Sequence, residues 1–125
     1  MGLTHVDATV SGGNGKSARV RFLVDSGATY TLLPRRVWQA LKLKPLDTLQ
    51  LVLADGSTIE RPVSECRIQL PQGRRHTPVL LGAAGDEALL GTVTLEIFGL
   101  VLNPLTRRLQ PMRMLLAALR PALTP

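Results

Sequence analysis

The stretch Phe22-Leu23-Val24-Asp25-Ser26-Gly27-Ala28-Thr29 leads an apolar run straight into a turn of small residues that begins with a carboxylate. Asp, Ser and Gly are common in turns, so an Asp-Ser-Gly triplet alone does not indicate a function. Its setting does, because no polar spacer separates Asp25 from the strand-like run before it. We therefore expect a buried backbone before the carboxylate and a rigid turn after it. A second apolar run, Ala88-Leu89-Leu90-Gly91, also ends in a glycine.

Size and composition indicate one ordinary domain. The chain has 125 residues, 45% of them hydrophobic, which is enough for a single core without disulfides or metals. Its one cysteine, Cys66, has no partner for an internal disulfide and is expected to be a buried, unreactive side chain. The histidines, His5 and His76, have no ligand-like spacing to each other or to Cys66, so we expect no metal site.

The net charge of +6 suggests nucleic-acid binding, but two observations argue against it. The basic residues occur as scattered pairs rather than as one stripe, and only 3% of the residues are aromatic, which leaves little for bases to stack on. We therefore expect a solvated basic surface and no nucleic-acid partner. No apolar stretch approaches the roughly 20 residues that span a bilayer, and residues 1–5 do not resemble a signal peptide. These features favour a cytoplasmic location with no membrane partner.

Alternating apolar and polar residues predict a first β-hairpin with strands at 4–10 and 18–24. The second strand ends at Asp25. The glycine-rich stretch 11–16 is expected to be the hairpin turn, because it lacks both the Lys-Ser/Thr ending of a phosphate-binding loop and a following helix.

A second hairpin is predicted where Asp55-Gly56 separates the strand-like runs 49–53 and 57–61. Its polar tip and apolar arms suit an arm that closes over a ligand, and they suit an ordinary surface hairpin equally well. The pattern also predicts four further strand segments, at 30–33, 65–70, 77–81 and 100–102, with 107–109 as a partner of the last.

Three short helices are also predicted. The first covers 34–41, with Trp38 as a packing anchor, and the second covers 94–98 and is stopped by Gly99. Beyond Pro111 an apolar stripe at helical spacing predicts a tail helix within 112–125, too short to be stable unless it docks. The stripe consists of Met112, Leu115, Leu116 and Leu119.

The order of these elements resembles that of the retropepsin-like aspartic proteases, in particular the single-domain bacterial members. Two blocks carry the resemblance: residues 23–29 match the family's apolar-apolar-Asp-Thr/Ser-Gly-Ala motif, and Leu89-Leu90-Gly91 with Leu95 and Gly99 matches its second signature. The resemblance implies an all-β fold, a closed or partly open β-barrel of the acid-protease type with one or two short helices. It places the protease domain at 1–111 and a C-terminal helical tail at 112–125.

By this resemblance Asp25 is the catalytic residue of an aspartic endopeptidase. Since the chain holds one Asp-Ser-Gly, the active site requires a homodimer in which each copy gives one Asp25. The two carboxylates would share a proton and activate a water against a polypeptide substrate, with no cofactor or metal. The resemblance assigns support of the catalytic loop to Ser26, Gly27, Ala28, Leu90 and Gly91. It assigns substrate contact, as a flap over the peptide, to Ala54, Asp55, Gly56 and Ser57.

The chain departs from the viral members at two positions. Those members pair an acid after the catalytic block with an arginine after the second glycine, whereas this chain has Thr29 and Thr92 there, so no orphan charge results. Two other functions stay open on the sequence. One is a non-catalytic protein-interaction module on the same fold, and the other is a basic nucleic-acid-binding β-barrel.

Overall fold

The computed structural model describes residues 3–113. Within that range the chain forms nine strands and two short helices. In chain order they are β1 (His5–Ser11), β2 (Ser17–Val24), β3 (Thr31–Leu33), α1 (Arg35–Ala40), β4 (Asp47–Val52), β5 (Thr58–Leu70), β6 (Gly73–Leu81), β7 (Leu89–Leu90), α2 (Thr92–Ile97), β8 (Leu100–Asn103) and β9 (Arg108–Pro111). The predicted tail helix lies, from residue 114 onward, outside the described residues.

Seven of the strands form one sheet, and six of them close into a ring that leaves β4 outside. Their order is β1-β2-β7-β3-β6-β5-β4, and an additional antiparallel pairing of β1 with β5 joins the two sides. Val10 opposite Ile68 marks that closure. The strand β4 pairs only with the first half of β5, so the β4–β5 hairpin extends beyond the ring. The all-β expectation with two short helices is confirmed, and the sheet forms a ring of strands rather than a clear barrel.

The core lies inside this ring because each strand points its apolar residues to one face. Phe22 in β2, Val10 in β1 and Ile68 in β5 are fully buried, whereas Arg19 and Arg67 on the outer face are exposed. The period-two alternation in the sequence therefore decided which face of each strand is buried. Trp38 packs partly buried against this core and donates its indole N–H to the Gly82 carbonyl at 2.9 Å, which confirms its predicted anchoring role.

The structure corrects the prediction of two separate strands at 57–61 and 65–70. Residues 58–70 form one continuous strand, β5, and Ser57 belongs to the turn before it. Pro62 suggested a break, but its missing N–H removes no bond between the strands. The Val63 carbonyl accepts a hydrogen bond from the Leu46 N–H on the β4 side of the strand. Because the backbone groups of successive strand residues point to opposite edges, the Pro62 nitrogen points to the β6 side. There, pairing with β6 begins only at Val63.

The strands β8 and β9 form a small separate sheet, as predicted. The Met112 N–H donates to the Gly99 carbonyl at 2.8 Å, and the Thr4 hydroxyl donates to the Arg107 carbonyl at 3.3 Å. These bonds tie the hairpin to the end of α2 and to the residue that precedes β1. Helix α2 begins at Thr92, two residues before its predicted start. Neither helix in the described part of the chain is long and apolar enough to cross a membrane.

Candidate active site

Asp25 follows directly on β2, at a point where the backbone is held from both sides. The Asp25 N–H donates to the Leu90 carbonyl at 3.0 Å, continuing the parallel pairing of β2 with β7. The preceding N–H, of Val24, donates to the Thr4 carbonyl at 2.8 Å on the opposite side. The backbone that carries the carboxylate is thus fixed between two neighbouring strands, as the apolar run before it predicts.

The turn after Asp25 orients its carboxylate. The Gly27 N–H donates to Asp25 Oδ1 at 2.9 Å, and the Ala28 N–H donates to the Asp25 carbonyl at 3.1 Å. Asp25 is half-buried, whereas Ser26 and Gly27 are exposed. Within residues 3–113 no group forms a hydrogen bond with Oδ2 of Asp25. One carboxylate oxygen is therefore held by the turn, and the other is available to a water or to a second carboxyl group.

Gly91 lies directly beneath this turn. A Cβ atom there would stand 2.5 Å from the Tyr30 carbonyl carbon and 2.8 Å from the Thr29 carbonyl oxygen, which is closer than real contacts allow. The start of α2 adds two hydrogen bonds, from the Thr92 N–H to the Ala28 carbonyl at 2.8 Å and from the Val93 N–H to the Thr29 carbonyl at 2.9 Å. The structure thus brings together the five predicted loop and support residues around Asp25: Ser26, Gly27, Ala28, Leu90 and Gly91.

A chain of buried threonines continues this support and was missed by sequence reasoning. The Gly91 N–H donates to Thr31 Oγ1 at 3.0 Å, Thr31 contacts Thr94 at 2.6 Å, and Thr94 contacts Thr77 at 2.8 Å. The Thr77 hydroxyl donates to the Pro78 carbonyl at 3.2 Å. All three threonines are at most 2% exposed. The sequence offers a signal for two of them, since Thr31 and Thr94 are hydroxyls among apolar and aromatic neighbours in a short strand and a short helix, and none for Thr77, which lies between His76 and Pro78.

The threonine chain has a defined direction. Its first member is an N–H, which only donates, and its last is a carbonyl, which only accepts. Each hydroxyl therefore receives one hydrogen bond and donates the next, so Thr31 donates to Thr94 and Thr94 donates to Thr77. This arrangement leaves none of the three buried hydroxyls without a partner, and it fixes the position of Gly91 under the turn that follows Asp25.

A groove of about 600 Å³ opens beside the turn and is covered on one side by the β4–β5 hairpin. Gly27, Ala28 and Thr29 form its wall at the turn. Most of the remaining lining is apolar and includes Leu32, Leu51, Leu53, Ile59, Leu80 and Leu89. Two charged side chains also line it, Arg61 and Asp86. The groove is therefore mostly apolar and borders the turn at Gly27, two residues after Asp25, which does not itself line it.

The tip of the β4–β5 hairpin is a tight polar turn. The Ser57 hydroxyl and N–H both donate to Asp55 Oδ1, and these bonds lower the pKa of the Asp55 carboxyl below its usual value. Gly56 has φ +86°, a backbone conformation that favours glycine. The four predicted flap residues, Ala54, Asp55, Gly56 and Ser57, are exposed and do not line the groove. The strand residues behind them do.

Cys66 is buried and does not line the groove. Burial raises the pKa of the Cys66 thiol to about 12, which keeps it protonated and unreactive. Within residues 3–113 no three His, Cys, Asp or Glu side chains come together as a metal site would require.

Comparison with known proteins agrees with this geometry. A family model described as aspartyl protease matches residues 6–94. No curated protein sequence matches the chain. The simian foamy virus (mac) protease is similar in structure, with a TM-score of 0.55 and 19% identity over 74% of this chain and 92% of that one. The EIAV protease in complex with the inhibitor HBY-793 is also similar in structure, with a TM-score of 0.57 and 17% identity over 76% of this chain and 86% of that one.

The prototype foamy virus protease-reverse transcriptase is a third similar structure, with a TM-score of 0.52 and 14% identity over 90% of this chain and 12% of that one. At these identities the structures establish the fold, and the family model, which matches most of the chain, establishes the family. The chain belongs to the aspartyl protease family and has the retropepsin-like fold.

Proposed function

We propose that the protein is a homodimeric aspartic endopeptidase in which each subunit contributes one Asp25. The observation that carries the proposal is the carboxylate of Asp25, held at Oδ1 by the Gly27 N–H at 2.9 Å beside an apolar groove. Asp-Ser-Gly occurs once in the chain. Since this chemistry uses two carboxyl groups, the second must come from Asp25 of the partner subunit.

In the dimer the two carboxyl groups share one proton, because two negative charges about 3 Å apart repel strongly. The ionised group acts as general base on a water bound between them, and the protonated group donates to the oxygen of the scissile carbonyl. Ser26 and Gly27 are exposed on the subunit, which leaves both accessible to a partner and to a substrate. We assign Ser26 to contact across the two-fold axis and the Gly27 carbonyl to accept a substrate N–H.

The β4–β5 hairpin acts as the flap over the peptide. The hairpin supplies part of the apolar lining of the groove, and its Val52 and Leu53 near the tip are 74% and 42% exposed. A peptide in the groove would cover these side chains and remove their apolar surface from water. The tip residues 54–57 set the shape of the turn, and the strand residues bind the substrate.

The test is Asp25→Asn, with Asp7→Asn as the matched control. Asp7 is exposed on the outer face of β1, opposite Arg21, so its change removes the same charge far from the groove. We expect Asp25→Asn to abolish peptide cleavage at mildly acidic pH and Asp7→Asn to leave it unchanged. Cleavage that persists in Asp25→Asn contradicts the proposal.

A mixing experiment tests whether the two carboxylates come from two copies. When equal amounts of wild type and Asp25→Asn are refolded together, only about one quarter of random dimers hold two Asp25 residues. Specific activity per wild-type chain should therefore fall by about half relative to refolded wild type. An unchanged value, or a strict monomer in sedimentation at high concentration, contradicts the dimer. A monomer without cleavage supports the non-catalytic protein-interaction module instead.

A further inference from the structure

Two opposite charges face each other in the otherwise mostly apolar groove. Arg61 lies on β5 in the flap hairpin, and Asp86 lies on the loop that precedes β7. Their closest approach is 4.0 Å, between Arg61 Nε and Asp86 Oδ2, and both side chains are 29% exposed. In the described part of the chain this is the one ion pair. It spans the groove from the flap to the opposite wall.

The two partners are held very differently. Asp86 Oδ2 accepts the Ala83 N–H at 2.7 Å, and the Asp86 N–H donates to the Ala83 carbonyl at 3.2 Å, so the loop itself fixes this carboxylate. Arg61 reaches Asp86 only at ion-pair distance, and its Nη1 donates to the neighbouring Glu60 carbonyl at 3.0 Å. Arg61 thus has another acceptor and a position on a projecting hairpin. Asp86 is the fixed member of the pair and Arg61 the replaceable one.

We propose that Asp86 selects substrates with a lysine or arginine side chain at the position that contacts Asp86 in the groove. This inference rests on the proposed protease function. A substrate cation takes the place of Arg61 beside the fixed carboxylate, while Arg61 keeps its bond to the Glu60 carbonyl. The apolar lining accommodates the methylene stem of such a side chain. Partial burial makes the contact stronger than a fully exposed ion pair.

An acidic substrate side chain meets the opposite situation. It would approach Asp86, which the loop does not allow to move away, and Glu87 follows directly in the sequence. Repulsion from a fixed carboxylate in a half-buried groove disfavours this side chain. In the dimer the groove occurs twice about the two-fold axis, so the preference should appear at two substrate positions, one on each side of the cleaved bond.

The experiment compares peptides that differ at one position at a time among lysine, norleucine and glutamate. Norleucine keeps the apolar stem of lysine without its charge. For wild type we expect kcat/KM about fivefold higher for lysine than for norleucine at the two positions, and lowest for glutamate. In Asp86→Asn the lysine-to-norleucine ratio should fall to about 1, since asparagine can still accept the Ala83 N–H but carries no charge.

Glu65→Gln is the matched control, because Glu65 is exposed on β5 and does not line the groove. Its lysine-to-norleucine ratio should equal that of wild type. The variant Asp86→Arg should reverse the order and favour glutamate over lysine. Thermal unfolding of each variant shows whether it is folded. A wild-type ratio near 1, or an unchanged ratio in folded Asp86→Asn, overturns the assignment of Asp86.

Peptide binding to the Asp25→Asn variant separates this proposal from the proposed function. Fluorescence anisotropy with the same labelled peptides measures the preference without any cleavage, and lysine should again bind about fivefold more tightly than norleucine. A binding preference without cleavage by wild type supports the Asp86 site and contradicts the protease. Cleavage by wild type without any preference, in either assay, contradicts the Asp86 site alone.

Discussion

Replacement of Thr94 by valine tests whether the threonine chain supports the catalytic turn. Valine has nearly the shape of threonine, so the change removes a hydroxyl and leaves the packing almost intact. Thr94 is fully buried and accepts the hydrogen of Thr31. Without it the Thr31 hydroxyl keeps the bond from the Gly91 N–H but has no acceptor for its own hydrogen. A buried unsatisfied donor costs about 1–3 kcal/mol.

Thr77 loses less in the same variant, because its hydroxyl still donates to the Pro78 carbonyl. We therefore expect Thr94→Val to lower the free energy of unfolding by about 2–3 kcal/mol. For a domain of this size that corresponds to a fall in Tm of roughly 6–12 °C. Urea and thermal unfolding measure both quantities, at one fixed protein concentration because a dimer gains stability with concentration.

Thr94→Ser is the matched control, since it keeps the hydroxyl and removes only the methyl group. Its expected cost is about 1 kcal/mol, from the lost apolar contact. The hydroxyl chain is refuted if Thr94→Val is as stable as Thr94→Ser or more stable. Because the threonine chain begins at the Gly91 N–H beneath the turn, Thr94→Val should also lose more peptide cleavage than Thr94→Ser at a temperature where both are folded.

Two further predictions concern other buried positions. Gly91→Ala should lower the free energy of unfolding by about 1–3 kcal/mol, because its Cβ would press on the backbone of Tyr30 and Thr29. Gly13→Ala is the control, since a Cβ at Gly13 has nothing within 4 Å, and its stability in urea should stay within about 0.5 kcal/mol of wild type. Equal stability of the two variants would contradict the close contact. Cys66, whose pKa is raised to about 12 by burial, should not react with a thiol reagent at pH 8 until urea unfolds the protein, and rapid reaction of the native protein would contradict its burial.

Local patterns in the sequence predicted the parts of the fold that depend on neighbouring residues. The alternation in β1 and β2 decides which side chains enter the ring, and the Asp55-Gly56 turn joins two strands in register. Both signals lie within a single hairpin, so one stretch of sequence contains all the information needed. The position of Asp25 at the end of a buried strand follows from the same local argument. Asp25 and the strand that carries it were therefore predictable.

The remaining features of the site depend on contacts between distant segments. Thr31 and Thr94 are 63 positions apart, and the contact between Arg61 and Asp86 joins the hairpin to a loop that follows β6. No periodicity or turn signal records such pairs. The lining of the groove was missed for a related reason. The tip residues 54–57 carried the turn signal, but the strand residues behind the tip face the groove.

The contacts around Asp25 are rigid, whereas the contact between the hairpin and the 82–88 loop is replaceable, and the proposed chemistry requires both. Two carboxyl groups that share a proton must stand about 3 Å apart, so a displacement of the turn in either subunit changes the distance between them. Asp25 is accordingly held through its strand, its turn and Gly91, all by short hydrogen bonds or close backbone contacts. The substrate must enter and leave, so the opposite wall is a hairpin outside the ring, linked to the 82–88 loop by an ion pair of 4.0 Å. Changes beneath the turn should therefore lower kcat, whereas changes at Arg61 and Asp86 should alter which peptides are cleaved.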